Sequence, residues 1–423
     1  MKEINSAEFE KEVLNGGKVI LDFYSSECPP CEALASKFED LSGIYGKKIK
    51  FIKIFRQQNR DLADKLNVKS SPTLLFFDDG KEVAGKLTGG IKRGDIIDNL
   101  NSMLPEKEVN EIRSMIKPSV SEFDVIVLGA GPGGLTAGLY LCQAKINTVL
   151  VDIALPGGQV ATTHEVSNYP GFIQPQAGYM LSHHMSEQTK LCGTAYKVAV
   201  DVTRVDLEKK EVVIDEYETI KAKKIVIATG TRPNSTGASG EKELKGRGIS
   251  YCATCDAKYF DNKEVVVIGG GNSAVEESEY ISRFASKITM VHQLEKFTAN
   301  KKAQEKLLSN EKVNALFEHE PRSFAKNGEK IVTEIEDLKT KERRKLVSDG
   351  VFVFIGMKPN VALFGDKLKL DRWGYIVTDE NMATSLPGVY AVGDVISKKY
   401  RQITTAVADG TIAAMAITKE LNA

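Results

Sequence analysis

The sequence predicts an α/β protein in three parts: a small α/β domain followed by two Rossmann-like dinucleotide-binding domains, the second inserted in the first. Three observations carry this expectation. Two glycine-rich turns, at residues 129–134 and 269–274, each follow a short apolar run and precede a helical pattern. Two near-identical segments, Gly230-Thr231-Arg232-Pro233-Asn234 and Gly356-Met357-Lys358-Pro359-Asn360, bracket the second of those turns. Upstream, the apolar run 18–24 leads into Cys28-Pro29-Pro30-Cys31 and then a helical pattern over 32–41.

The bulk numbers agree. A chain of 423 residues holds about three domains, and 42% hydrophobic content describes a globular protein with a sizeable core. Lys+Arg 57 balances Asp+Glu 57, so no electrostatic footprint for nucleic acid or an anionic membrane exists. The first residues lack the apolar stretch of a signal peptide, and no run reaches the ~20 apolar residues of a membrane span. Six cysteines, four of them in C-x-x-C pairs, fit catalytic thiols in a reducing compartment rather than a disulfide scaffold, and the chain is expected in the cytoplasm.

In the first part, strands are expected over 18–24, 50–55, 73–77 and 82–87, with Asp78-Asp79-Gly80-Lys81 as a turn. A helix over 94–104 closes the domain, with Ile97, Leu100 and Leu104 on one face. A cysteine where a strand meets a helix feels the positive helix end, which lowers its pKa. Neither Pro29 nor Pro30 offers an N–H to the Cys28 sulfur, which favours a reducing dithiol. On Asp22, Cys28-Pro29-Pro30-Cys31, Lys53, Ser71-Pro72-Thr73 and Gly89, this part resembles thioredoxin, so a thioredoxin fold is expected. The resemblance implies that Pro72 is a cis-proline beside the dithiol and that Asp22 relays protons to the buried Cys31. Glu27 stands where the family has tryptophan, and its charge would oppose a thiolate on Cys28. Residues 105–121, with Pro105 and Pro118 around a charged helix-like run, are expected as a linker after a domain spanning 1–104.

In the remainder, strand 124–128 runs into Gly129-Ala130-Gly131-Pro132-Gly133-Gly134 and a helix over 135–144. Gly129 allows the tight turn, Gly131 the approach of a pyrophosphate, and Gly134 close helix–strand packing, with Asp152 positioned for a ribose hydroxyl. The second fingerprint, Gly269-Gly270-Gly271-Asn272-Ser273-Ala274, implies a second dinucleotide; the pair is typical of a flavin and a nicotinamide. The bracketing segments read as two adjacent strands forming a hinge. Gly393-Asp394, at the end of a strand and the start of a helix, would set Asp394 beside a ribityl chain. Cys252-Ala253-Thr254-Cys255-Asp256 reads as a redox dithiol, because a zinc site of that spacing needs a second ligand pair in reach. Cys142 and Cys192 read as small buried apolar residues, and Trp373 and the five histidines form no metal constellation.

Residues 122–423 resemble the low-molecular-weight bacterial thioredoxin reductases over their whole length. The matching stretches are Gly157-Gly158-Gln159, Glu165 with Asn168-Tyr169-Pro170-Gly171, Ala228-Thr229-Gly230, Cys252 to Asp256, residues 269–274, and Gly356 with Pro359-Asn360. Gly388 to Asp394 and Arg401-Gln402 complete the set. The resemblance implies FAD held by residues 122–234 and 357–423, a nicotinamide and C-x-x-C domain over 235–356 that swings, and a homodimer. It also implies that Cys255 faces the flavin, Cys252 attacks thioredoxin, and Asp256 protonates the departing thiolate.

One departure concerns the electron donor. Where the family reads the 2′-phosphate of NADPH with arginines, this chain has Gln293, Leu294 and Thr298, and no acid marks a choice of NADH. The donor is open among NADH, NADPH and a protein such as ferredoxin. The expected function is an FAD-dependent reductase that passes electrons through Cys252/Cys255 and Cys28/Cys31 to protein disulfides, for example those of peroxiredoxin or ribonucleotide reductase. A dedicated peroxiredoxin reductase would carry a doubled thioredoxin module, for which there is no room. A redox-sensing non-enzyme with a decayed nucleotide site sits poorly with intact dithiols and an intact 269–274 turn.

Overall fold

The computed structural model describes the chain except Glu27, His164 and Ala423. The chain forms two compact units, one of residues 1–158, 182–230 and 361–423, the other of residues 159–181 and 231–360.

In the first unit, residues 1–104 build a mixed sheet ordered Lys2–Ile4, Lys50–Phe55, Val19–Tyr24, Thr73–Asp78, Lys81–Glu82. The first three strands are parallel and the last two antiparallel to their neighbours. Val19–Tyr24 is covered on both faces, hence its unbroken apolar run around Asp22. Helix Pro29–Tyr45 lays Leu34, Phe38, Leu41 and Tyr45 on the sheet at helical spacing. The strand expected over 82–87 is broken. Glu82 pairs with Phe77 and Leu87 with Leu74, so five steps face three, and two extra residues bulge out between Lys81–Glu82 and Leu87–Thr88.

The closing helix runs Arg93–Ser102, and Ile96 with Leu100, not Ile97, leads its buried face. The chain turns after Ser102, so Met103 and Leu104 enter the core from outside the helix. Within residues 105–121, helix Glu106–Met115 adds Val109 and Ile112 to that same core, and Lys48 pairs with Glu108 at 2.7 Å. Strand Ser119–Leu128 already begins at Ser119.

That strand is central to a second sheet, between Glu218–Ile227 and Thr148–Asp152, both parallel to it. Ala195–Val198 extends one side, and Glu211–Ile214 and Val202–Asp206 the other. The two ends of Glu218–Ile227 take different neighbours, Glu211–Ile214 and Val389–Ala391. Helices Pro132–Gln143 and Ile403–Leu421 cross closely over this sheet. A Cβ on Gly410 would lie 2.3 Å from the Gly133 carbonyl oxygen, so only glycine permits the approach. Cys142 and Cys192, expected as buried apolar residues, are half-buried neighbours. The Cys142 thiol donates to the Cys192 carbonyl at 2.8 Å, because the two helices that carry them end side by side.

The second unit is built on a parallel sheet ordered Ile249–Ser250, Gly350–Val353, Glu264–Ile268, Lys287–His292, Val313–Phe317. A three-stranded antiparallel sheet, His319–Asn327, Lys330–Asp337 and Arg343–Ser348, accompanies it. The bracketing segments pair as antiparallel strands, Thr231–Pro233 against Met357–Pro359, and the second dinucleotide-type domain is inserted between them. Among the described residues no helix is long and apolar enough to cross a membrane.

Candidate active site

The first dithiol sits at a helix start. Cys28 caps helix Pro29–Tyr45 and is disulfide-bonded to Cys31. Two prolines in the first helical positions cost nothing there, because those N–H groups have no partner inside the helix. Neither donates to Cys28, as expected, but the Cys31 N–H does, at 3.3 Å from the Cys28 sulfur. The Cys28 sulfur lies 3.5 Å from the Ser71 carbonyl, and the Ser71–Pro72 bond is cis. Asp22, on the central strand, is 3% exposed, and its Oδ1 has no partner among the described residues. Burial pushes its carboxyl up to about 7, against the pull of Lys53. Glu27, expected to disfavour a Cys28 thiolate, lies outside the described residues.

The second dithiol has the same local logic. Cys252 caps the single turn Ala253–Asp256 and is disulfide-bonded to Cys255. Ala253 and Ala257 anchor this turn in the core, leaving Cys252 half-buried and Thr254 exposed. Ser250 ties the motif together: its hydroxyl donates to Asp256 Oδ2 at 2.6 Å, and the Cys252 N–H donates to it at 3.1 Å. Reading the sequence missed Ser250, whose position two residues before a cysteine carries no signal of its own. Glu165 receives the Tyr259 hydroxyl and stands 3.3 Å from Lys258.

The first glycine turn brings Gly129, Gly131, Pro132, Gly133, Gly134, Asp152 and Ala228 together. Gly131 caps helix Pro132–Gln143 with Pro132 at its first position, and a Cβ on Gly131 would meet nothing within 4 Å. Gly134 tolerates no Cβ, which would stand 1.9 Å from the Gly129 carbonyl. Asp152 accepts the Ala130 N–H at 2.6 Å and the Ala154 N–H at 2.8 Å; burial raises its carboxyl, and these bonds oppose the rise. Gly158 approaches Gly131, while Thr229 and Gly230 follow the strand that ends at Ile227.

Asp394 follows Gly393, and its Oδ1 is buried without a hydrogen-bond partner among the described residues. Burial raises its carboxyl, opposed by Lys398 and Arg401. Arg401 stacks on Tyr375 at 3.9 Å and donates to the carbonyls of Asp394 and Ile396, so it braces this turn. Gln402 caps helix Ile403–Leu421. Asp409, unforeseen inside an apolar helix, accepts the Gly393 N–H at 3.0 Å and Lys398 at 2.7 Å. Open space before a helix start, plus a buried carboxylate oxygen awaiting a donor, fits the pyrophosphate and ribityl hydroxyls of FAD. Gln159, which donates to the Thr231 carbonyl at 2.7 Å, and exposed Asn168 fall in the other unit.

The second glycine turn, Gly269, Gly271, Asn272, Ser273 and Ala274, opens helix Asn272–Ile281 with Gly271 as cap. The His292 ring packs on Gly270, where a Cβ would lie 2.5 Å from it, and burial lowers the imidazole pKa. The Thr298 N–H donates to the Gly270 carbonyl at 2.8 Å, while Gln293 and Leu294 are exposed. The turn fits a pyrophosphate, but residues 290–299 hold no guanidinium for a 2′-phosphate. Among the described residues no group of three or more His, Cys, Asp or Glu is arranged to hold a metal.

Residues 123–410 match the family model for pyridine nucleotide-disulphide oxidoreductases, and residues 1–102 match that for thioredoxin. A thioredoxin reductase of Peptoclostridium acidaminophilum is 41% identical over 308 residues, which cover 71% of this chain and 98% of that one. One of Bacillus subtilis is 41% identical over 296 residues, covering 70% and 93%. The crystal structure of thioredoxin reductase from Streptococcus pyogenes superposes with a TM-score of 0.67 at 34% identity, covering 71% of this chain and 98% of that one. With both glycine turns, the Cys252–Cys255 pair and the paired strands Thr231–Pro233 and Met357–Pro359 all inside residues 123–410, the chain belongs to the thioredoxin reductase family of pyridine nucleotide-disulphide oxidoreductases and carries a thioredoxin domain ahead of it.

Proposed function

We propose that the chain reduces its own thioredoxin domain and, through it, the disulfides of other proteins. One observation carries this: a single chain holds two C-x-x-C disulfides, each beginning at a helix cap, one in the thioredoxin domain and one in the reductase. FAD, when bound, supplies the electron pair that opens Cys252–Cys255. Gly131 would admit its pyrophosphate, Gly133 lets the turn pack against Ala406, and Asp394 would accept from its ribityl chain. Asp152, whose two oxygens already take backbone N–H groups, would hold the turn and a ribose hydroxyl.

The reduced Cys252 thiolate attacks the Cys28–Cys31 disulfide at Cys28, and Cys31 leaves as a thiolate. Cys255 then attacks Cys252, freeing the module as a dithiol and restoring Cys252–Cys255. Asp256, held by the Ser250 hydroxyl, would give a proton to a departing thiolate of its own pair. Asp22, with a carboxyl held to about 7, is suited to exchange a proton with Cys31 near neutral pH. Cys28 then attacks the target disulfide, and Cys31 completes the reduction.

Peroxiredoxin and ribonucleotide reductase have the chemistry of such targets. The family supports a homodimer, and four cysteines in reducible pairs support a reducing compartment such as the cytoplasm. For the donor, the reading is a nicotinamide without NADPH preference, since Gln293, Leu294 and Thr298 offer no guanidinium; the other reading the same residues favour is a protein donor such as ferredoxin. Cys28→Ser should abolish insulin reduction while donor still reduces the flavin and then Cys252–Cys255. Full insulin reduction by Cys28→Ser would remove the thioredoxin domain as the outlet.

A further inference from the structure

We infer that the face of the FAD-binding domain formed by Leu155, Ala199, Asp201 and Tyr217 is a docking surface for the chain's own thioredoxin domain, which holds that domain between deliveries. The observation behind it is two buried cations. Lys37, on the dithiol helix, is 8% exposed and Arg93 is 2% exposed. Lysine and arginine are rarely buried without a partner, because desolvating the charge costs more than packing returns. Here the FAD-binding domain adds partners to those of the thioredoxin domain itself, in which Arg93 stands 3.7 Å from Asp40. Lys37 Nζ donates to the Ala199 carbonyl at 2.7 Å and to the Ile91 carbonyl at 3.2 Å, and the Arg93 guanidinium lies 4.7 Å over the Tyr217 ring.

The rim is charge-complementary. Lys92 pairs with Asp201 at 2.6 Å, and Asp201 stands where a Cβ on Gly94 would meet its Oδ2 at 3.1 Å. That places a carboxylate at the start of the ten-residue helix Arg93–Ser102, where the helix dipole favours it. Asp215 fixes Asp201 by accepting its backbone N–H at 2.8 Å. Gly90 lies so close to Leu155 that a Cβ there would stand 3.2 Å from its Cγ and the leucine would have to give way. At the dithiol end, Lys190 pairs with Glu32, the residue after Cys31. A target approaching the dithiol from that side must displace this contact, so docking and delivery alternate.

The test is hydrogen exchange on the full chain, read at residues 90–94 and 199–217, for Lys92→Asp, Asp201→Lys and the double swap. Each single reversal sets like charges together and should raise exchange at both segments several-fold, and the swap should restore protection. Unchanged exchange in both single variants, or no recovery in the swap, would overturn the inference. Exchange in Val19–Tyr24 and Glu264–Ile268 serves as a folding check, and Gly90→Leu, whose added side chain presses on Leu155, should loosen the same segments where a charge variant fails that check. The dock rests on the built-in-thioredoxin reading only for its purpose; exchange does not depend on electron transfer, so it fails separately from the Cys28→Ser test.

Discussion

Asp22 shows how one buried atom sets a pH dependence. Its carboxyl is held at about 7, above the ordinary carboxylate value, by burial on the central strand. Between pH about 4 and 7 the folded chain therefore keeps a proton that the unfolded chain has lost. Stability from this group is full below the ordinary carboxylate range and falls as pH rises through about 7, by roughly 4 kcal/mol at most. Asp22→Asn, which removes the titration, should raise the melting temperature of the thioredoxin domain at pH 8 and leave it nearly unchanged at pH 4. The same variant should flatten the pH profile of Cys28–Cys31 reduction around neutrality. An equal effect on melting at both pH values would mean that packing, not charge, is what Asp22 contributes. At this scale much was legible: both cysteine pairs announce themselves by spacing, and Asp22 and Pro72 by the resemblance to thioredoxin. Ser250 and Asp409 did not, because each acts by orienting a residue distant in the chain or across a turn.

At the scale of an element, the second glycine turn has a backbone that suits a pyrophosphate and no arginine in residues 290–299 beside it. Gly271 caps a helix whose first N–H groups face any pyrophosphate, but the loop after Lys287–His292 presents Gln293 and Leu294 where a dianion would need arginine. Equal NADH and NADPH in stopped flow should bleach the flavin at rates within about tenfold of each other, since each lost charge-assisted hydrogen bond is worth on the order of 1.5–3 kcal/mol. A hundredfold NADPH advantage would contradict this reading, and no bleaching by either would select the protein donor. The break between Lys81–Glu82 and Leu87–Thr88 teaches a related lesson. Alternation marks a strand, but two surplus residues in its register appear only once Thr73–Asp78 is there to pair with.

At the scale of the whole molecule, helix Glu106–Met115 decides how the thioredoxin domain is tethered. With that helix folded, only Ile116, Lys117 and Pro118 separate it from strand Ser119–Leu128, a reach of about 10 Å. Peeling the helix away frees the 14 residues 105–118, or about 50 Å when extended. The longer reach gives an effective concentration near millimolar, so free domain should barely alter turnover of the intact chain yet restore activity to a 122–423 fragment in proportion to its concentration. Equal competition in the intact chain would reduce the tether to a means of co-expression. The free domain should also be made as 1–115. Val109 and Ile112 together bury apolar surface worth roughly 3 kcal/mol or more, so 1–104 should unfold at clearly lower denaturant than 1–115.

What residues 1–423 declare unaided is whatever a short window must satisfy by itself. A Gly134 with no room for a Cβ, a proline pair at a helix start, a cysteine spaced three from another: each is a local demand, and each names its residue type. Periodicity, in contrast, marks a face without naming its partner. Val109 and Ile112 lie in a run that reads as a charged linker, and Asp201 gives no hint of Lys92, 109 residues earlier. Only the packed chain assigns these, because the free energy of burying a side chain depends on what covers it, and the cover comes from elsewhere in the sequence.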